Sequence, residues 1–389
     1  MSRLSRLGGF VLVMCLGAGA VAQAATVTLA WDPSSDPSVT GYRLYWGNLP
    51  GSYPSSLNVG NVTQAAVGGL TDGMPYYFVV RAYNSSGTLS APSVEVSRRL
   101  GVPFAVGGDI DGDFKSDITV FRPSTGEWLT AKSASNYTTW NIKQWGIPGD
   151  VPVPGDYDGD GKIDPAVYRP STGYWFLLKS STNYATWTVY LWGITGDIPA
   201  PGDYDGDGKM DPAVYRPSTG YWYLLKSSTN YATWTVYLWG ITGDLSVPGD
   251  YDGDGITDMA VYRPSTGYWY LLNSSTNFAS WTVFQWGITG DVPVPGDYDG
   301  DGKVDMAVYR PSTGYWFLVK SSTNFASWTV FQWGVNGDVP TPRDYDGDGK
   351  TDMAVYRPSN GYWYLLKSSA GNGAWTVFQW GIGNDVPVF

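Results

Sequence analysis

The sequence predicts an all-β protein in which a small β-sandwich precedes a six-bladed β-propeller of 47-residue repeats. Three observations support this fold class. The 389 residues include 50 glycines, 26 prolines and many aromatic residues, a composition typical of short strands joined by tight turns. No window shows a sustained helical period. An acidic motif recurs six times at a constant spacing of 47 residues, which is enough for the four short strands of one blade.

Residues 1–24 have the pattern of a secretory signal. Arg3 and Arg6 precede an apolar run from Leu7 to Val21, and Ala22-Gln23-Ala24 offers a small-x-small cleavage site. The run is short for a bilayer span, so we expect cleavage after Ala24 and no membrane span. Because the single cysteine, Cys15, lies in this segment, the remaining chain would have no disulfide. We therefore expect a secreted protein, extracellular or at the cell surface, with the periplasm as the alternative compartment.

The charged residues exclude several classes of function. Acidic residues number 35 against 24 basic ones, so nucleic acid is not an expected partner. All of the acids except Glu95 and Glu127 are aspartates, and the chain has no histidine. The absence of histidine removes Ser-His and Cys-His nucleophile systems and histidine-based zinc sites.

Residues 25–100 are predicted to form the β-sandwich. Asp-Pro-Ser, Pro-Gly and Asn-Ser-Ser-Gly turns separate strand-like runs at Val27–Trp31, Tyr42–Trp46 and Tyr76–Tyr83. The segment Leu70-x-x-Gly73-x-x-Tyr76 is similar to the tyrosine corner of fibronectin type III domains. With Trp31 and Tyr42, this pattern resembles that family over the whole segment. The resemblance implies a fibronectin-III-like domain.

Residues 101–389 are predicted to form the propeller, one blade per repeat. In the fourth repeat the predicted strands are Ser246–Pro248, Met259–Arg263, Tyr268–Leu272 and Trp281–Trp286. Seven short Val/Pro segments suit a first strand, whereas the other three strands occur six times. A propeller closes best when strands from both chain ends share a blade. We therefore expect Val386–Phe389 to pack beside the first repeat, replacing or flanking Val102–Val106.

Each repeat contains the loop Asp-x-Asp-Gly-Asp-x-x-x-Asp, as in Asp156 to Asp164. Carboxylates at loop positions 1, 3 and 5 converge when a glycine at position 6 turns the chain, and position 7 adds a backbone carbonyl. The aspartate at position 9 supplies the fourth side chain. This all-oxygen set suits a hard cation, so we expect about six structural Ca²⁺ ions, one per loop. Solvated polar turns are the alternative, because Asp-Gly is a common turn pair.

The expected metal ligands fall at the same loop positions in all six repeats. They are Asp109, Asp111, Asp113, Lys115 and Asp117; Asp156, Asp158, Asp160, Lys162 and Asp164; Asp203, Asp205, Asp207, Lys209 and Asp211; Asp250, Asp252, Asp254, Ile256 and Asp258; Asp297, Asp299, Asp301, Lys303 and Asp305; and Asp344, Asp346, Asp348, Lys350 and Asp352. In the first loop Phe114 occupies the glycine position. A bulky residue is costly at positive φ, so we expect this site to be the weakest or distorted.

The loop pattern followed by an Ala-Val strand is similar to FG-GAP and VCBS repeats, which form the propellers of integrin α subunits and of many bacterial surface proteins. The resemblance covers residues 102–389, although the Phe-Gly and Gly-Ala-Pro tags are absent and integrins have seven blades. It implies a calcium-binding propeller. Because integrins bind their ligand at the end away from the calcium loops, it also points to the opposite end as the binding face.

Arginines and tryptophans are the candidate ligand-binding residues. An arginine ends each predicted second strand and an aspartate follows each fourth strand, so the two should lie close together, as structural ion pairs or to capture an acidic sugar. Three tryptophans occur in each repeat, which suits packing between blades or stacking on sugar rings. The residues considered for binding are Arg169, Arg216, Arg263, Arg310, Trp175, Trp222, Trp269 and Trp316.

These features favour a non-catalytic, secreted or cell-surface recognition protein that binds glycans or protein surfaces multivalently, as in carbohydrate binding or cell adhesion. A catalytic site needs one asymmetric constellation, whereas nearly every polar residue here occurs five or six times. Two alternatives remain: an extracellular polysaccharide lyase or hydrolase that uses Tyr with Arg or Asp, and a purely structural matrix component.

Overall fold

The computed structural model of the protein describes residues 10–13, 25–48, 51–70, 75–93, 95–99 and 108–388. The chain forms two compact units, Met1–Val102 and Pro103–Phe389. The regular elements of the described residues are β-strands and five 3-10 turns, Ser133–Ser135, Ser227–Thr229, Ser274–Thr276, Ser321–Thr323 and Ser368–Ala370. Within these described ranges, no helix has the length and apolar character that crossing a membrane requires. The predicted all-β fold class is confirmed.

The N-terminal unit consists of two antiparallel sheets. One sheet contains Phe10–Val13, Ala25–Trp31 and Gln64–Leu70, and the other contains Ser55–Gly60, Val39–Gly47, Pro75–Asn84 and Val96–Arg99, each in spatial order. Leu29, Leu44 and Phe78 are fully buried in the shared core. The three predicted strands are therefore present. The predicted tyrosine corner includes residues 71–74, which lie outside the described residues, while its ends Leu70 and Tyr76 are buried in this core.

Phe10–Val13 is the described part of the predicted signal segment, and it pairs antiparallel with Ala25–Trp31. The remaining residues of 1–24 lie outside the described ranges. Cleavage after Ala24 would remove this strand and leave Ala25–Trp31 paired with Gln64–Leu70 alone. The signal and its cleavage stay a prediction.

The second unit contains six four-stranded antiparallel sheets, here called blades 1 to 6 in chain order. Their strands are Ile118–Arg122, Glu127–Ala131 and Trp140–Gln144 in blade 1; Val151–Pro152, Ala166–Arg169, Tyr174–Leu178 and Trp187–Leu191 in blade 2; Ile198–Pro199, Ala213–Arg216, Tyr221–Leu225 and Trp234–Leu238 in blade 3; Leu245–Ser246, Met259–Arg263, Tyr268–Leu272 and Trp281–Gln285 in blade 4; Val292–Pro293, Met306–Arg310, Tyr315–Val319 and Trp328–Gln332 in blade 5; and Val339–Pro340, Met353–Arg357, Tyr362–Lys367 and Ala374–Gln379 in blade 6.

Blade 1 takes its first strand, the counterpart of Val151–Pro152 in blade 2, from the C-terminal end of the sequence. Val386 and Pro387 pair with Phe121 and Val120, in the register that Val151–Pro152 has within blade 2. The predicted closure by the C-terminal segment is confirmed. The predicted competing strand Val102–Val106 lies outside the described residues.

The hydrophobic core of the propeller lies between blades. Each cluster joins two consecutive blades, and one cluster joins Tyr356 and Trp363 of blade 6 to Ile118 and Val120 of blade 1. The six blades therefore form a closed ring of interfaces. Since each blade packs against two neighbours, the loops that join its strands are held at fixed positions.

Candidate metal centres and surrounding surfaces

The acidic loop between the first and second strands is organised by the aspartate at position 1. The two carboxylate oxygens of Asp156 accept hydrogen bonds from the backbone amides of Gly159 at 2.6 Å and Gly161 at 2.8 Å. The equivalent pair of bonds occurs in the other five loops. The aspartate at position 9 is also fixed, because Asp164 Oδ2 accepts from the amide of Tyr157 at 2.9 Å. The loop backbone therefore wraps around its own carboxylates.

This wrapping brings carboxylate oxygens from several positions together. Groups in which one oxygen from each residue lies within 4.8 Å of the others include Asp109, Asp111 and Asp117; Asp156, Asp158 and Asp164; Asp203, Asp205 and Asp211; Asp250, Asp252 and Asp254; and Asp297, Asp299 and Asp305. The predicted convergence is present, and in four of these five groups the third member is position 9 rather than position 5.

In four of the loops, one carboxylate oxygen of the aspartate at position 3 is buried and has no hydrogen-bond partner in the protein. Oδ1 is buried without a hydrogen bond in Asp111, Asp158, Asp205 and Asp299. Burying a carboxylate oxygen without a partner is costly, and a cation bound by the cluster would remove that cost. Carboxylate and carbonyl oxygens are the ligands that Ca²⁺ prefers, so the residues fit this ion.

Burial and mutual repulsion raise the pKa of the clustered carboxyls. Burial, followed by the charge of Asp205, raises the pKa of Asp211 to about 7. Burial raises the pKa of Asp109 to about 8, with Asp117 adding a smaller repulsion. Without a cation these groups are therefore partly protonated near neutral pH, and a divalent cation would favour their ionised form.

Serines after the third strand complete the loops, and the sequence reasoning missed them. The amide of Ser180 donates to Asp164 Oδ1 at 2.6 Å, and its hydroxyl donates to Asp160 Oδ1 at 2.8 Å. The same serine contacts occur in all six blades. A second serine, Ser181, donates to Asp158 Oδ2 at 2.7 Å. The signal was available, since a serine follows position 9 by 16 residues in every repeat.

The residue at position 7 contacts the neighbouring loop through its side chain. Lys303 of blade 5 donates from Nζ to the carbonyl of Asp252 in blade 4 at 2.8 Å. The aliphatic part of the same lysine lies against Gly253, where a Cβ would meet it at 2.7 Å. The proposed role of the position 7 carbonyls as metal ligands stays a prediction.

The first loop keeps the regular geometry in spite of Phe114. Phe114 has φ 67°, and its amide donates to Asp109 Oδ2 at 2.7 Å, as the glycine amide does in the other loops. The expected distortion is therefore absent, and the expectation that this is the weakest of the six sites stays a prediction. A phenylalanine at this φ is strained, so the cost of the substitution lies in the backbone and leaves the ligand positions intact.

The arginines at the opposite end of the blades form ion pairs. Arg169 binds both carboxylate oxygens of Asp150, at 2.7 and 2.9 Å, and its guanidinium lies 4.3 Å from the ring centre of Phe176. Equivalent bidentate pairs join Arg122 to Asp385, Arg216 to Asp197, Arg263 to Asp244, Arg310 to Asp291 and Arg357 to Asp338. The hydrogen bonds that Arg169 donates to the Asp150 carboxylate raise the pKa of Arg169. Since these guanidinium groups are already paired, the geometry favours the structural role over capture of an acidic sugar.

The tryptophans selected for sugar stacking are not on the surface. Trp175, Trp222, Trp269 and Trp316 in the third strands are fully buried, and the Trp175 indole donates to the carbonyl of Trp192 at 2.7 Å. Their assignment to a binding surface is therefore corrected: they pack between blades. The exposed indoles lie instead at the start of the fourth strands, in the first position in blades 1 to 5 and in the second position in blade 6.

These exposed indoles form what we call the tryptophan belt: Trp140, Trp187, Trp234, Trp281, Trp328 and Trp375, each 59 to 61% exposed. Every belt residue packs on a second indole from the preceding blade, with ring centres 6.0 to 6.2 Å apart. The second indole is anchored, since Trp145, for example, donates to the carbonyl of Phe176 in the next blade at 3.2 Å. One rigid, solvent-facing indole pair therefore covers each junction between blades.

Two known domain families match this chain. The fold and its loops define a repeat β-propeller with one aspartate loop per blade, preceded by a β-sandwich. The FG-GAP-like repeat matches residues 156–214, 250–308 and 297–355, and the fibronectin type III domain matches residues 20–99. The chain thus carries a fibronectin type III domain followed by FG-GAP-like repeats, as predicted from the sequence. Both kinds of domain are typical of extracellular proteins.

Similarity to individual proteins is confined to short segments. The Kelch domain-containing protein SSO1033 of Saccharolobus solfataricus is 47% identical over 79 residues, which are 20% of this chain and 10% of that protein. Chitinase A1 of Niallia circulans is 42% identical over 74 residues, 18% of this chain and 10% of that protein. The matched segments thus span about a tenth of each relative.

Two solved structures are similar to about a quarter of this chain, and the match covers most of their own length. A structure titled "Myokine structure" is 18% identical, with a TM-score of 0.21, and covers 25% of this chain and 98% of its own. The sixth fibronectin type III domain of human fibronectin type III domain containing protein 3 is 23% identical, with a TM-score of 0.19, and covers 26% of this chain and 88% of its own.

Proposed function

We propose that the protein is a calcium-stabilised, non-catalytic recognition protein of the cell exterior that binds polysaccharide through the tryptophan belt. The observation that carries the proposal is the exposure of six indoles, one per blade, each on an anchored second indole. The C–H faces of pyranose rings pack on aromatic rings, and a rigid indole loses little conformational entropy on binding. The belt therefore suits sugar rings along a polymer.

Repetition supports weak, multivalent binding. Contacts of low individual affinity gain strongly in avidity when one polymer reaches several of them at once. The fourth strands add further apolar surface, with Val189 and Leu191 exposed beside Trp187. The match of a short segment to a protein named Chitinase A1 makes chitin a rational first probe.

Calcium has a structural role in this proposal. Bound in the six loops, it would neutralise clustered aspartates and hold the first-to-second and third-to-fourth strand connections through the serine contacts. The belt residues begin the fourth strands that follow these connections. Loss of calcium should therefore weaken binding through the fold, without a direct metal contact to the sugar.

Co-sedimentation with insoluble chitin and cellulose tests the proposal. The calcium-loaded protein should sediment with one of them, and Trp→Ala changes at two, four and then all six belt positions should lower the bound fraction stepwise. The control variants Ile194→Ala and Ile241→Ala, at residues 53% exposed outside the belt, should bind like the wild type. If the variant with all six belt residues changed folds and still binds like the wild type, the binding surface is not the tryptophan belt. If the folded wild type binds no member of a wider polysaccharide panel, the proposal is overturned.

The same samples separate this proposal from the alternative of an extracellular lyase or hydrolase. The supernatant is assayed for new reducing ends and for the absorbance of unsaturated products. We expect neither. Sustained release of either product by the wild type, lost on denaturation, would replace the non-catalytic proposal with the enzymatic one.

A further inference from the structure

The junction between blades 5 and 6 lacks an aromatic side chain that is present in each of the other five. In blades 1 to 5 an aromatic residue of the loop before the fourth strand enters the junction with the preceding blade; these residues are Tyr137, Tyr184, Tyr231, Phe278 and Phe325. Their rings contact Phe378, Lys143, Tyr190, Tyr237 and Phe284 in turn. Blade 6 has Asn372 at this position, opposite Phe331 of blade 5.

The loop backbone is unchanged at this junction. Asn372 has φ 61°, the value of Phe325 in blade 5, and Gly371 before it has φ 60° against 53° for Asn324. The space that a Tyr or Phe ring fills at the other junctions is therefore opened by the shorter side chain of Asn372 and not by a change in the backbone. A cavity of about 80 Å³ results, open to solvent and lined by Phe331, Thr329, Thr351, Ser368 and Asn372 among others.

The cavity is more polar than the equivalent filled junction. Thr351 replaces Val304 of the preceding blade, so a hydroxyl and an amide are gained where a methyl group and a phenyl ring are lost. The side chains of Thr329, Thr351 and Asn372 make no hydrogen bond to any other residue of 108–388. Three uncommitted polar groups thus surround one aromatic face, and this combination favours a hydroxylated ring over a hydrocarbon ring.

The filled junctions show how a ring fits in this space. The ring of Tyr231 lies 4.4 Å from that of Tyr190, and its hydroxyl donates to the carbonyl of Tyr157 at 2.9 Å. The carbonyl at the corresponding place between blades 5 and 6 is that of Tyr298, whose residue lines the cavity. A ligand ring that stacks on Phe331 and donates a hydroxyl to the carbonyl of Tyr298 would reproduce the ring contact and the hydrogen bond that Tyr231 makes.

We propose that the cavity between blades 5 and 6, which is open to solvent, is a binding site for one edge of a hexopyranose ring of a glycan, with the rest of the ring outside its mouth. The ring face lies on Phe331, and the ring hydroxyls bond to Thr329, Thr351 and Asn372 and to the carbonyl of Tyr298. The glycan class rests on the proposed function, but the site is distinct from the tryptophan belt and is single where the belt is sixfold.

Isothermal titration of the calcium-loaded full chain with methyl glucoside, methyl galactoside, methyl mannoside, N-acetylglucosamine and glucuronate tests the site. We expect saturable binding of at least one of these at one site per chain. Asn372→Tyr restores the ring found in blade 3 and should weaken that binding by about tenfold or more, with an unchanged or higher melting temperature. The double change Val304→Thr, Phe325→Asn opens the junction between blades 4 and 5 and should raise the stoichiometry towards two.

Two outcomes would overturn the site: no saturable binding of any of the five sugars, or binding that survives Asn372→Tyr. If the first outcome is accompanied by saturable binding of p-cresol, the cavity would instead accept the aromatic side chain of a protein partner. If the double variant fails to fold, the Asn372→Tyr result decides. Belt variants should keep this binding and Asn372→Tyr should keep sedimentation with polysaccharide, so the two proposals fail separately.

Discussion

The backbone amide of Thr351 donates to the carbonyl of Asp297 at 2.6 Å, which joins the acidic loop of blade 6 to that of blade 5. The same bond, from position 8 of one loop to position 1 of the preceding loop, occurs at all six junctions at 2.6 to 3.1 Å. The bond from Ser116 to Asp344 completes the circle. Because position 1 also organises its own loop, a metal ion bound in one loop would stabilise the attachment of the next blade as well.

Removal of calcium should lower the melting temperature of the propeller. A ligand bound only by the folded state stabilises it by mass action, about 2.7 kcal/mol per site at a concentration 100 times Kd. Differential scanning calorimetry in calcium and in excess EDTA measures the shift. The transition of the sandwich should stay in place, as an internal control. A propeller transition that moves by less than a few degrees would show that the loops are not structural calcium sites.

Replacement of Phe114 by glycine should stabilise the propeller. Phe114 has φ 67° where the second loop has Gly161 at φ 85°, so the change relieves a strained backbone and leaves the ligands in place. The expected gain in the free energy of unfolding is about 1 kcal/mol. Gly161→Ala is the matched control and should destabilise by a similar amount. Urea unfolding in calcium measures both, and a loss of stability in Phe114→Gly would show that the phenyl ring contributes more than the strain costs.

Deletion of Asp385–Phe389 should destabilise the ring well beyond the loss of one ion pair. It removes the strand Val386–Pro387 from blade 1 and the carboxylate that binds Arg122. Asp338→Asn removes the equivalent carboxylate from Arg357 but leaves every strand in place, and is the control. Thermal unfolding and light scattering should show a lower melting temperature or self-association for the deletion alone. Equal behaviour of the two variants would refute closure by the C-terminal strand.

The metal-free propeller should become less stable as pH rises from about 5 to about 8. Burial raises the pKa of Asp211 to about 7 and that of Asp305 to about 6, against an ordinary value of 3.8. The folded state therefore binds protons that the unfolded chain has released, and this stabilisation is lost as pH rises through the folded pKa values. In calcium the trend should reverse, because protons compete with the metal. Melting temperatures in EDTA that rise with pH would contradict the pKa directions.

Tyrosines at the blade junctions should contribute a hydrogen bond that phenylalanines at equivalent positions lack. Tyr231 donates to the carbonyl of Tyr157, whereas Phe278 packs on Tyr237 without a hydroxyl. Tyr231→Phe should cost about 1 kcal/mol, and Phe278→Tyr should gain a similar amount. Chemical denaturation of both variants and of the double variant measures this, and the two effects should nearly cancel in the double variant.

The periodic features of the fold were predictable because each one is repeated. Met259–Arg263 and Tyr268–Leu272 have the predicted bounds, and the six loops place their aspartates as the spacing indicated. Closure by Val386–Pro387 followed from counting strands, since one first strand was left without a blade. In each case the deciding information was the number and spacing of residue types along the chain.

The exposure of individual tryptophans was not predictable in the same way. The third strand of blade 2, with Trp175, and the fourth, with Trp187, both carry large apolar residues on both faces, so alternation does not reveal which face is buried. Burial depends instead on the neighbouring blade, which covers Trp175 and leaves Trp187 exposed. Ser180 was missed for a different reason: its spacing of 16 residues from the aspartate that it binds recurs in every repeat, but the aspartate motif itself does not include it.

The strand Val386–Pro387 also makes blade 1 the blade whose strands lie farthest apart in the sequence. Its blade begins at Ile118, and the ion pair beside it joins residues 263 positions apart in the chain. Blades 2 to 6 each take their four strands from one continuous stretch of chain, whereas blade 1 combines Ile118–Arg122 with a strand from the far side of all the other blades. Contacts of such long sequence separation form slowly. The pairing that closes blade 1 is therefore expected to be the slowest contact of the ring to form, and a variant that weakens it should slow refolding more than one that weakens a strand pair within blades 2 to 6.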